Sequence, residues 1–197
     1  MRKRIKCALI AALPQEVEML AQQYNVTISG VGKVNAAIAA SQILKYNSDI
    51  QLIINIGTVG SSQFPVSSIH RIGKFSDRDY IDNSLGLGHF FEAFNFSDDL
   101  QYLKIPHNNE ITCASGDTFV NSLNDYDVVD MEAYGIARVC KQFNVPLLSI
   151  KYVTDSCELS SGFDWKRALN IAQQSLYEHF MAFNNELEIT AQFENAN

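Results

Sequence analysis

Continuous apolar runs of strand length alternate along this chain with segments whose apolar residues recur at helical spacing. Ile5 to Ala12 (IKCALIAA) and Gln51 to Ile56 (QLIINI) have the unbroken apolar character of parallel strands covered on both faces. LLSIKYV, from Leu147, is a third such run. Between them, Pro14 opens a helix carrying Glu16, Val17, Met19 and Leu20, and VNAAIAASQIL forms a second, alanine-rich one. Ala133, Ile136, Ala137, Val139 and Cys140 mark a third helix, stopped at Asn144-Val145-Pro146 because proline disfavours helical dihedrals in the residue before it. Ala168, Ile171, Ala172, Leu176 and Phe180 place a last helix over Trp165 to Phe183. Shorter strands are expected at Asn25 to Ser29, within SSIHRIGKF and at ITCA. Gly57 to Ser62 reads as a glycine- and hydroxyl-rich turn, residues 83–107 as surface loop with a short strand, and the C-terminal ELEITAQFENAN as a fraying tail. Strands alternating with helices define an α/β fold with a mixed, largely parallel sheet.

At 197 residues the chain is expected to be one domain spanning 1–197, large enough to bury a core without disulfides or metals. Its formal charge of −7 argues against nucleic acid or an anionic membrane as partner, since both reward clustered Lys and Arg. The N-terminal RKRIK is too short a patch to reverse that. No run reaches the length of a membrane span and no signal peptide is evident, so a cytoplasmic location is expected. Cys7, Cys113, Cys140 and Cys157 are widely spaced with no CxxC pair, which favours free buried thiols over a zinc site.

The chemistry concentrates between Val128 and Asp155. Glu132 stands at the mouth of the third helix and Asp155 at the carboxyl end of the following strand, the edge at which open α/β sheets bind ligands. Glu16 sits at another strand-to-helix turn. Each has a plain reading: Glu16 as a first-turn glutamate favoured by the helix dipole, Asp155 as a cap, Glu132 beside Asp130 as a solvated acidic face. Met131 at such a position is more often core than ligand contact, and Phe119 more often packing than stacking. Lys151, inside an apolar strand, must meet a carboxylate because an unpaired buried charge is costly, and Glu16 is the partner expected. Gly30-Val31-Gly32-Lys33 lacks the spacing and hydroxyl of a phosphate loop and reads as a glycine turn into a helix. His70, His89, His107 and His179 show no triad logic, and no cofactor or metal is implied.

Taken together, A-L-P-x-E-V, G-V-G-K-V-N-A-A, N-I-G-T-V-G, S-G-D-T-F-V, V-D-M-E-A and V-T-D, collinear from Ile5 to Asp155, resemble the nucleoside phosphorylase superfamily. Within it the chain is most similar to 5'-methylthioadenosine/S-adenosylhomocysteine nucleosidases. The resemblance implies a three-layer α/β/α fold, a single nucleoside phosphorylase-like domain and a homodimer. It implies that Glu16 activates the attacking water and that Asp155 protonates the purine at N7. By the same resemblance Met131 and Glu132 grip the ribose, Phe119 and Val120 hold adenine, Thr58 helps hold the water and Leu13 flanks the 5' substituent. Lys151 stands where the family carries an arginine near the water, keeping the charge but losing the bidentate fork. Residues 83–107, bordering the 5' pocket, match poorly, and no G-D-P-x-R phosphate loop is present, which favours water as nucleophile.

Purine N-glycosides break when the base leaves protonated and the sugar becomes oxocarbenium-like, as in glycoside hydrolysis generally. The chemistry therefore calls for one carboxyl that holds a proton and one that stays ionised, with a third polar group on the sugar. The expected function is hydrolysis of a 5'-substituted adenosine to release adenine, with a small-molecule nucleoside as partner. The rivals are a phosphate-dependent phosphorylase, a futalosine-type nucleosidase and a catalytically weak nucleoside-binding protein.

Overall fold

A computed structural model describes residues 5–79, 93–118, 126–157, 161–187 and 190–191. In chain order the elements are β1 (Lys6–Ala11), α1 (Pro14–Ala21), β2 (Val26–Ile28), α2 (Lys33–Tyr46), β3 (Leu52–Gly60), β4 (Ile69–Asp77), β5 (Phe94–Asn95), α3 (Ser97–Tyr102), β6 (Asn108–Ser115), β7 (Val128–Asp130), α4 (Ala133–Phe143), β8 (Leu147–Asp155), α5 (Ser161–Leu187) and β9 (Thr190–Ala191).

The sheet is mixed. β2, β1, β3 and β8 run parallel, whereas β4 meets β8 antiparallel and carries β6 and β7 alongside in its own direction. β7 then returns to β3 antiparallel, pairing Val129 with Gly60, so that β3, β8, β4, β6 and β7 close into a small barrel. Closure brings the carboxyl ends of strands from both directions to one place. The register of β3 against β8 slips between Val59 and Gly60, and it is there that Gly60 aligns with Asp155.

Helices cover both faces: α1 packs on α5, which lies against β8 and β3, and α2 packs on α4, which lies against β6, β4 and β8. All nine residues of β8 are buried, the burial its apolar run demands. The α2–α4 contact is close. A Cβ on Gly135 would stand 2.3 Å from the backbone oxygen of Lys33, so the two helices meet backbone to backbone. Gly135→Ala is therefore expected to destabilise the fold by roughly 1–3 kcal/mol through overpacking, although alanine is the better helix former. A urea-unfolding midpoint equal to or above that of the parent would contradict this contact.

Four sequence expectations change. β3 runs on through Gly57–Gly60 instead of turning, because those residues continue the ladder to Lys151–Asp155. Residues 93–107, read as part of a surface loop with a short strand, hold a short strand, β5, and also α3, which at six residues is too short to show a period. Part of the tail forms β9 and pairs with β1. α5 is longer than Trp165 to Phe183. The stop after α4 has an added cause: Asn144 takes the left-handed conformation (φ 54°), and the Val145 N–H bonds back to Cys140 O at 3.0 Å. All four cysteines are free and buried. Among the described residues no helix is long and apolar enough to cross a membrane.

Candidate active site

A cavity of about 220 Å³ opens where the strand ends converge. Its walls come from the segment after β1 (Leu13, Glu16), the end of β3 (Thr58, Gly60), Arg78 after β4, Thr118 after β6, β7 with its extension (Asp130, Met131, Glu132) and the end of β8 (Thr154, Asp155). Glu16, Glu132 and Asp155, distant in sequence, thus face one space.

Glu16 is the third residue of α1, and the break in helical geometry at Val17 (φ −137°, ψ 19°) falls directly after it. Its carboxylate is held at both oxygens. Oε2 accepts the Leu13 N–H at 3.1 Å, and Oε1 accepts the N–H and hydroxyl of Thr58 at 2.8 and 2.9 Å. The absence of a side chain at Gly57 makes that seat possible, since a Cβ there would lie 3.0 Å from Oε1. Asp155 is likewise fixed, its Oδ2 accepting from the Thr154 hydroxyl (2.8 Å) and Oδ1 from the Cys157 N–H (3.0 Å). Burial and the neighbouring Asp155 push the Cys157 thiol up to about 12, so it stays protonated beside the acid.

Glu132 accepts the Gly32 N–H at 2.8 Å through Oε1 and the Met131 N–H at 3.3 Å through Oε2. Burial, then the charge of Asp130, with Glu16 adding to it, raises its carboxyl to about 7. A raised carboxyl means that the folded state binds more protons than the unfolded chain between about pH 4.5 and 7. Stability attributable to Glu132 therefore falls as pH rises through that window, and the loss of ~3 kcal/mol is complete above it. Glu132→Gln is expected to gain on the parent in urea-unfolding free energy between pH 5 and pH 8. A constant difference across that range would refute the assignment.

Lys151 does not line the cavity. It is 2% exposed and lies behind the wall, its Nζ 2.8 Å from Asp130 Oδ2, so its partner is Asp130 and not Glu16. The reason is topological: in β8 its side chain points toward the barrel strand β7, which ends in Asp130. Asp130 also accepts the Ser115 hydroxyl at 2.5 Å and the Ala133 N–H at 3.1 Å. Burial alone would raise its carboxyl, but the charge and hydrogen bond of Lys151 outweigh it and hold Asp130 below the usual carboxylate range. Burial likewise opposes the charge on Lys151, and its acidic surroundings, Asp130 foremost and Glu132 with it, more than restore it.

Leu13, Thr58 and Met131 line the cavity. Phe119 and Val120 lie outside the described residues. Sequence reading gave no role to Val31, Thr118 or Arg78. Arg78 is 8% exposed and turned inward, donating to Gly116 O at 3.1 Å, to Thr118 O and to Thr118 Oγ1 at 3.3 Å. Among the described residues no His, Cys, Asp and Glu group is arranged to hold a metal ion.

The barrel-closed α/β fold with its pocket at the strand ends fits the nucleoside phosphorylase/hydrolase superfamily. The structure superposes with a TM-score of 0.82 on a 5'-methylthioadenosine/S-adenosylhomocysteine nucleosidase from Colwellia psychrerythraea solved with adenine, covering 97% of this chain and 99% of that one at 19% identity. By sequence the chain is 30% identical over 155 residues to the nucleosidase of the same name from Staphylococcus aureus, covering 66% of this chain and 67% of that protein. It is 28% identical to the one from Buchnera aphidicola, over 88% and 87% of the two chains. No family model matches. The chain belongs to the 5'-methylthioadenosine/S-adenosylhomocysteine nucleosidase family.

Proposed function

We propose that this protein hydrolyses the N-glycosidic bond of a 5'-thio-substituted adenosine and releases adenine. The observation that carries the reading is the convergence of Glu16, Glu132 and Asp155 on one pocket in a chain of this family. Asp155 gives its proton to N7 of the purine as the bond from C1' to N9 breaks and its electron pair leaves with the base. The sugar is left oxocarbenium-like. Glu16 takes a proton from water as the water oxygen bonds to C1', and Thr58, already on Glu16, borders the place that water occupies. Glu132 accepts from the ribose hydroxyls and favours the developing positive charge. Met131 lies against the sugar and Leu13 against the 5' substituent. Phe119 and Val120 are assigned to the base on sequence resemblance alone.

Lys151 has no direct part in holding substrate or water in this reading, because Asp130 occupies it. The whole chain acts as one cytoplasmic domain and pairs as a homodimer. Support for pairing comes from the exposed apolar stripe Val31, Val34 and Ile38 on and before α2, which begins at the pocket wall and suits a second copy.

The test is incubation of purified protein with 5'-methylthioadenosine, S-adenosylhomocysteine and a 6-oxopurine nucleoside, each with and without phosphate. Adenine release independent of phosphate is expected. Strict phosphate dependence would make the enzyme a phosphorylase, and tight binding without release would make it a nucleoside-binding protein.

A further inference from the structure

Beside the pocket lies a cluster of charges that the proposed chemistry does not use. Lys33, first residue of α2, places Nζ 2.8 Å from Asp77 Oδ1 and 2.8 Å from Asp79 Oδ2. Its backbone N–H donates to Asp117 Oδ1 at 3.0 Å, and the Asp117 N–H donates to Asp79 Oδ2 at 2.7 Å. The preceding N–H, that of Gly32, is the one that seats Glu132. Three chain segments that each feed the pocket wall are thus tied at one residue: the turn before α2, the end of β4 and the turn after β6.

The tie has a direction. Asp77 Oδ1 and Asp79 Oδ2 meet at the Lys33 Nζ, while the other oxygen of Asp79 lies 3.7 Å from Arg78 Nη1. Fixing Asp79 between Lys33 and Arg78 therefore holds the Arg78 guanidinium where it grips Gly116 and Thr118. Gly116 has no room for a side chain there, since a Cβ would meet Asp79 at 2.4 Å and Arg78 at 2.6 Å. Without Lys33, among the described residues Asp77 keeps only the Asp79 N–H (3.0 Å) and Asp79 only Arg78 as a cation, and repulsion between the two carboxylates would loosen the turn.

We propose that Lys33 is a positioning residue for nucleoside binding: by clamping Asp77, Asp79 and the Asp117 turn it sets where Arg78, Thr118 and Glu132 stand on the pocket wall. This rests on the reading of the pocket as a nucleoside site. Lys33 itself touches neither substrate nor the reacting atoms, so its loss acts on binding more than on the bond-breaking step.

The experiment compares the full-length parent with Lys33→Met and Lys33→Arg in steady-state kinetics on 5'-methylthioadenosine, alongside amide hydrogen exchange. Lys33→Met is expected to raise KM about tenfold while kcat stays within about threefold, since loss of positioning weakens binding of ground and transition states alike. Lys33→Arg keeps the charge and should recover most of the loss. Exchange in Lys33→Met should quicken at residues 77–79 and 115–118 and be unchanged in β1, β3 and β8. An unaltered KM in Lys33→Met, equal defects in the two variants, or faster exchange throughout the sheet would each overturn the proposal. Should the parent release no adenine from any nucleoside, the functional reading fails, and the exchange pattern alone then decides for or against the clamp.

Discussion

Asp155→Asn is expected to lower adenine release by about 10²- to 10⁴-fold, the usual worth of a positioned general acid, while the protein still binds the nucleoside. Asparagine matches aspartate in shape, can still accept the Cys157 N–H at Oδ1 while its NH2 donates to the Thr154 hydroxyl oxygen, whose own proton can turn to Val59 O, and has no proton of comparable acidity to give to N7. Kinetics on 5'-methylthioadenosine with a parallel binding titration separate the two effects. The choice of base offers a sharper check: a substrate whose leaving group needs no protonation should lose far less in the variant. Glu16→Gln should also stop turnover, but the defect should persist with such an activated leaving group, because water activation and not departure is impaired. If Asp155→Asn keeps near-parent rates on adenosine substrates, the acid lies elsewhere.

Lys151→Met is expected to destabilise the fold by about 3–5 kcal/mol, because it strands Asp130 as a buried charge. Asp130 is 7% exposed and Lys151 2%, so water cannot take the place of the lost partner. Stability should be recovered in part when Asp130→Asn is added, since the pair is then removed together and Ser115 and Ala133 still find an acceptor. Denaturant unfolding of the parent, both single variants and the double variant measures this cycle. Additive losses would show that the two side chains act independently. Activity provides a second readout: a Lys151 acting directly on the nucleophilic water would leave the stable double variant dead, whereas a lysine that only neutralises Asp130 leaves it active.

What could be read from the chain and what could not divide along physical lines. β1, β3 and β8 declare themselves because strands covered on both faces must be apolar throughout, and α4 declares itself through its period. Glu16, Glu132 and Asp155 were within reach since each stands at a strand end, where the backbone turns toward a ligand edge. The partner of Lys151 was not, because Asp130 meets it only through barrel closure, and no local pattern encodes which strand a three-residue segment such as β7 will join. Arg78 escaped for a related reason: charged residues after a strand look like solvent until the opposing turn, here Gly116 to Thr118, is in place. The extension of β3 through Gly57 and Gly60 was hidden by glycines that signal a turn locally but here leave room for Glu16 on one side and Cys157 on the other.

The seam at which Gly60 meets Val129 makes catalysis a property of the whole chain. Neither the N-terminal strands nor β4, β6 and β7 enclose a nucleoside on their own, so a half-folded molecule exposes its acids to water as ordinary surface carboxylates. Joining segments so far apart in sequence is an entropically late event in folding. Competence to cleave a nucleoside arrives in one step with ring closure, and the cell is spared a partly assembled hydrolase.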